Sequence, residues 1–162
     1  MIRHLQKLAR DDSGAAIVEL ALAAPILAMM VIGVSDISVA YGKKLELEQA
    51  AQRAIEKVAQ TTGEATPEDT IKTEAVCQFN GTGSDGKCKA APLTAANVTV
   101  NYSLTCDGTV TAYTSDCTGT QLEVRYITAT ITYNYAPTFN YHFGTHSDGT
   151  YHLDGSAGVR VQ

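Results

Sequence analysis

The chain predicts an α+β fold, in which a long N-terminal helix packs on a small disulfide-bonded antiparallel sheet. Three observations lead there. The run from Ala15 to Ser35 holds a single charged residue, Glu19, and at about twenty residues it matches the thickness of a bilayer's hydrocarbon. After it, Leu47, Ala51, Ala54 and Val58 recur at steps of four, three and four, beside Ala50, Ile55 and Ala59. Beyond residue 95 the apolar period changes to two.

The leader carries Arg3, Lys7 and Arg10, which favour a cytoplasmic N-terminus for a segment that spans a membrane. A secretory signal has a shorter apolar region, of about 7–15 residues, and ends at a small-x-small site. Ser38-Val39-Ala40 fits such a site, but it lies past Asp36 and beyond the apolar run. Residues 15–35 therefore read as a retained transmembrane helix, and residues 36–60 as its amphipathic continuation. Glu48, Gln49, Gln52, Arg53, Glu56 and Lys57 line the polar face, so the apolar stripe reads as cover for the domain's own core. Pro25 is the expected kink or local unwinding, because it removes a backbone donor in mid-helix.

Thr61-Thr62-Gly63 closes this helix, and Thr66-Pro67-Glu68-Asp69 opens a second, expected to end near Val76. Residues 80–86 then read as a glycine-rich loop. Val98, Val100, Tyr102 and Leu104 alternate as a strand, with a short partner between Gly108 and Thr114. The longest β run goes from Gln121 to Ala136. Its phase slips at Tyr126-Ile127, which predicts a bulge or burial on both faces. Phe139, Tyr141 and Phe143 alternate again, Ser147-Asp148-Gly149 and Asp154-Gly155 read as turns, and Ala157, Val159 and Val161 read as a last strand.

Cys77, Cys88, Cys106 and Cys117 all follow the apolar segment, which points to an oxidising compartment beyond the membrane. Ten residues lie between Cys77 and Cys88 and ten between Cys106 and Cys117, so two local loops are the simplest scheme, although four cysteines allow three pairings. Each such bridge contributes about 2–3 kcal/mol through loop entropy. The spacing does not match the short knuckles of structural zinc sites.

The string from Arg10 to Pro25, Arg-Asp-Asp-Ser-Gly-Ala-Ala-Ile-Val-Glu-Leu-Ala-Leu-Ala-Ala-Pro, resembles the processing region of the TadE-like pseudopilins, minor pilins of the Flp (tight-adherence) pilus. Leu20 stands where that family often carries Phe, and Asp11-Asp12 interrupts a leader that is usually basic up to the Gly. The resemblance implies a prepilin peptidase cut between Gly14 and Ala15, with residues 1–14 as leader and Glu19 as the fifth residue of the mature chain. It implies as partners that peptidase, the major Flp pilin, other pseudopilins, the inner-membrane assembly platform and membrane lipid. Residues 61–162 would then form a periplasmic domain of a single-pass inner-membrane protein, with incorporation into an extracellular pilus open.

The Gly-to-Glu spacing also has a physical logic of its own. A cut at Gly14 places an ammonium on Ala15 at membrane depth, where the Glu19 carboxylate of a neighbouring subunit can pair with it. The plainer alternative is a carboxylate that favours a helix N-terminus.

Other function classes find little support. The formal charge is −5 with no concentrated basic patch, which argues against nucleic acid. His142, His146 and His152 lie near Asp148 and Asp154, but Gly144 and the alternating aromatics oppose the helix that an i, i+4 histidine pair needs to share a metal. They read as solvated loop residues. Residues 80–86 lack the Gly-Lys-Ser/Thr ending of a phosphate loop. No nucleophile comes with a recognisable base, so neither an enzyme nor a cofactor is expected. The alternative function is a single-pass anchored binding or adhesion module whose tyrosine-rich sheet recognises a surface.

Overall fold

The computed structural model describes residues 12–60, 67–139 and 144–161. Helix α1 (Asp12–Gln60) runs without a break and holds Pro25, the expected point of a kink or local unwinding, in its interior. Its 49 residues span about 73 Å at 1.5 Å per residue. The two halves have opposite surroundings. Ile17, Val18, Leu20, Leu22, Ile26, Leu27, Met29, Met30, Val31 and Val34 are all exposed, whereas Leu47, Ala50, Ala51, Ala54, Ile55 and Val58 are buried. Small residues at Ala50, Ala51 and Ala54 let the second half lie close on the sheet; Ala59, at the end of the stripe, is exposed.

Helix α2 (Glu68–Asn80) starts after an extended Pro67, whose carbonyl accepts the Thr70 and Ile71 N–H groups. It runs four residues past the expected end at Val76, because Asn80 is buried and the stop comes at Gly81, with φ +75°. Ile71 and Ala75 pack it on α1. A 3-10 turn (Ala95–Asn97) leads into the sheet. Its strands are β1 (Val98–Cys106), β2 (Thr109–Thr111), β3 (Glu123–Tyr135) and β4 (Tyr151–Arg160), antiparallel in the order β2-β1-β3-β4.

β1 and β2 are joined by Asp107-Gly108, both at positive φ (49° and 83°), the two-residue turn whose twist suits a hairpin. The phase slip in β3 is not a bulge. The register with β1 runs unbroken from Val98 opposite Ile131 to Cys106 opposite Glu123, and Val124 and Arg125 are buried on opposite faces. β4 begins earlier than its apolar residues indicate. Asp154-Gly155 is no turn but mid-strand, with Gly155 opposite Ile131. A Cβ on Gly155 would lie 2.5 Å from Glu48 N and Leu47 C, so glycine is required there by the closeness of the α1 backbone.

Phe139 lies in a bend after β3 and not in a strand. Tyr141, His142 and Phe143, residues 1–11 of the expected leader, and residues 61–66, where one helix is expected to close and the next to open, fall outside the described residues.

Candidate functional site

The anchoring segment is the first element of the candidate site. Gly14 and Glu19 are both exposed on α1, and a Cβ at Gly14 would meet nothing within 4 Å. Ala15 lies in the same helix. Glu19 is surrounded by the exposed apolar side chains of its neighbours in α1, and among the described residues it has no ion pair or hydrogen bond. α1 is the one helix among the described residues that is long and apolar enough to cross a membrane, and the apolar window is not buried against the rest of the fold. That fits single-pass membrane anchoring.

At the boundary between the bare and packed halves of α1 sits Asp36, only 1% exposed. Its Oδ1 accepts the Thr138 N–H at 3.0 Å and its Oδ2 the Phe139 N–H at 3.2 Å. A buried carboxylate satisfied by two successive backbone donors is a charge-assisted latch. It holds the chain after β3 against the helix, one residue past the end of the apolar run. Sequence reading marks Asp36 only as the end of that run. Its partners lie more than a hundred residues away, and no local pattern announces them.

Two further buried polar groups hold the cysteine loops. Cys77 is bridged to Cys88 and Cys106 to Cys117, with Cα atoms 4.8 and 5.6 Å apart. In the first loop the Asn80 side chain donates to the carbonyls of Lys89 and Leu93, each at 2.8 Å, and accepts the Leu93 N–H at 2.9 Å. Leu93 thereby enters the core. In the second, Arg125 donates to the Tyr113 and Ser115 carbonyls and to the Glu123 and Asp116 carboxylates at 2.7–3.1 Å, with its guanidinium over the Tyr113 ring. The hydrogen bond from Arg125, and then that from the Cys117 N–H, hold the Glu123 carboxyl below its usual range.

The histidine and tyrosine groups are built differently from ligand sites. The His146 and His152 rings stack with centroids 4.0 Å apart, and His152 Nε2 lies 2.7 Å from Asp148 Oδ2. That contact, followed by the Thr150 N–H, holds the Asp148 carboxyl far below its ordinary value. Among the described residues no three His, Cys, Asp or Glu side chains are grouped for a metal. Five tyrosines pack on other aromatics, Tyr102 on Tyr113, Tyr133 on Phe79, and Tyr135 on Tyr151, while Tyr41 and Tyr126 are exposed.

Residues 14–55 match the family model described as TadE-like protein. No curated protein and no solved structure matches the chain. The match begins at Gly14, takes in Glu19, Pro25 and Asp36, and ends inside the sheet-packed half of α1, so it covers the helix and leaves the sheet outside it. It suggests association with pilus components. Over residues 14–55 alone the chain is similar to the TadE-like family, consistent with a TadE-like, pilin-related protein.

Proposed function

We propose that the protein is a minor pilin or pseudopilin that takes part in assembly of a Flp-type pilus. In this reading it is made as a precursor, anchored by α1 with its N-terminus in the cytoplasm and its sheet in the periplasm, and cut by a prepilin peptidase between Gly14 and Ala15. One observation carries the reading: Glu19 follows Gly14 by five residues on a bare apolar helix, inside the segment that matches the TadE-like family. An apolar helix left bare by the described residues of its own fold can be covered by lipid or by neighbouring helices. A carboxylate in it costs about 2.5–3.5 kcal/mol on insertion unless it is paired. The Ala15 ammonium of an adjacent subunit is the partner that processing would create. The major pilin, other pseudopilins and the assembly platform are the proteins such a subunit would meet.

N-terminal sequencing of the mature protein tests this. Ala15 as first residue supports it, Met1 points to an unprocessed anchored binding module, and Tyr41 points to a released domain. Release after Ala40 would also remove Asp36 and its latch on Thr138 and Phe139, which gives that outcome a poor structural basis.

A further inference from the structure

We propose that the segment 136–139, clamped to α1 by Asp36, is a membrane-surface foot that seats Phe139 among the lipid headgroups. The proposal rests on the reading of α1 as a membrane anchor. If residues 15–35 fill the hydrocarbon, their length of about 31 Å at 1.5 Å per residue places Asp36 at the edge of the apolar layer. Side chains on a helix lean toward its N-terminus, so the Asp36 carboxylate reaches back over the turn that ends the apolar run. The backbone N–H groups of Thr138 and Phe139 meet it there. Ile32 and Gly33, four and three residues before Asp36, are partly covered, while the remaining residues from Ile26 to Ser35 are exposed.

Phe139 is 45% exposed at this level, on a loop that the buried carboxylate fixes in height. On α1 the apolar surface continues past Asp36 through the exposed side chains of Ile37, Val39 and Tyr41, followed by Lys43 and Lys44. Aromatic rings with basic residues just beyond them are the composition of a membrane–water interface. A lipid surface is the occupant because this apolar skin is continuous with the anchoring segment. Asp36 acts as a positioning residue: it touches no lipid and sets the depth of the ring that does.

The chain contains no tryptophan, so single-tryptophan variants of the full-length protein report depth directly. F139W, L27W and V110W are each reconstituted in phosphatidylcholine vesicles brominated either near the headgroup end or near the methyl end of the acyl chain. Val110 is exposed on β2 and serves as the water-side control. Expected are a blue-shifted F139W emission quenched mainly by the shallow bromine, L27W quenched mainly by the deep bromine, and V110W quenched by neither. If L27W is quenched and F139W behaves like V110W, the anchor stands and the foot is overturned. If L27W is not quenched, the anchoring reading fails and the foot with it. Adding D36A to F139W is expected to lose the shallow quenching while near-ultraviolet circular dichroism stays that of the folded domain. Unchanged quenching in that folded variant overturns the positioning role of Asp36.

Discussion

Replacing Gly155 by alanine puts one methyl group where the α1 backbone already is. The added Cβ would stand 2.5 Å from Glu48 N, 2.5 Å from Leu47 C and 2.8 Å from Leu47 Cβ. Ordinary contacts of this kind are near 3.5–4.0 Å, so the helix must retreat by about 1 Å. Two of the three obstacles are backbone atoms in the middle of a continuous helix, and no rotamer change relieves them. Retreat loosens Leu47, Ala50, Ala51 and Ala54 against β3 and β4 together. Overpacking a core costs about 1–3 kcal/mol, and a clash with backbone belongs at the upper end. For a domain of this size about 3 kcal/mol lowers Tm by roughly 10 °C. Gly158→Ala is the matched control. Its Cβ would meet the Thr128 Oγ1 at 3.0 Å, a side chain able to rotate, on the opposite face of β4, so it should change stability by well under 1 kcal/mol. Thermal unfolding of both variants in detergent, followed by circular dichroism, compares them. Equal melting temperatures for Gly155→Ala and the parent would refute the close helix-on-strand packing.

Gly14→Leu should leave a precursor fourteen residues longer than the mature chain when the peptidase is present, visible on a gel; normal maturation of that variant excludes the Gly14 site. Glu19→Gln should insert and be processed, yet co-purify with other pilins more than a hundredfold less well, since removing one member of a buried charge pair costs about 3–5 kcal/mol; parent-like co-purification and pilus number at matched protein levels would mean that Glu19 pairs with nothing. Asn80→Ala leaves the Leu93 N–H and two carbonyls without their partner, which should lower stability by about 1–3 kcal/mol in urea unfolding while the Cys77–Cys88 bridge stays intact. Peptide mapping of the non-reduced protein should recover Cys77 linked to Cys88, Cys106 linked to Cys117 and no free thiol; crossed links would contradict the structure.

The elements legible in the sequence are those whose signal is local. The stripe from Leu47 to Val58 and the alternation from Val98 to Leu104 each lie within a dozen residues, and the fold class follows from them. What escaped depends on partners far along the chain. Asp154-Gly155 has the composition of a turn, and only the nearness of Leu47 and Glu48 makes glycine a strand residue there. Asn80 opens a glycine-rich run, so it reads as loop, but its amide holds Leu93 in the core. Arg125 hides the phase of β3: its side chain takes a core-facing place, and a charged residue there looks like the polar face of a strand. For the candidate site, Gly14 and Glu19 stand out by sequence alone because a glycine and one carboxylate are conspicuous beside an apolar run. Asp36 does not, because its role exists only once residues 138 and 139 return to the helix.

α1 is divided by what each half needs to be stable. From Leu47 to Val58 it is a component of the core, and substitutions there act on folding of the whole domain. From Ile17 to Val34 it touches little of its own fold, so substitutions there act on whatever covers it. Asp36 joins the two, because its latch to Thr138 and Phe139 ties the chain after β3 to the helix at the end of the apolar run. A subunit built this way separates folding from assembly: its disulfide-bonded sheet reaches its structure on residues 36–60, while the apolar half remains free to exchange lipid for neighbouring helices. Glu19 and Gly155 are therefore opposite probes of one helix. Gly155→Ala should lower the melting temperature before it affects partner binding, and Glu19→Gln should weaken partner binding at an unchanged melting temperature.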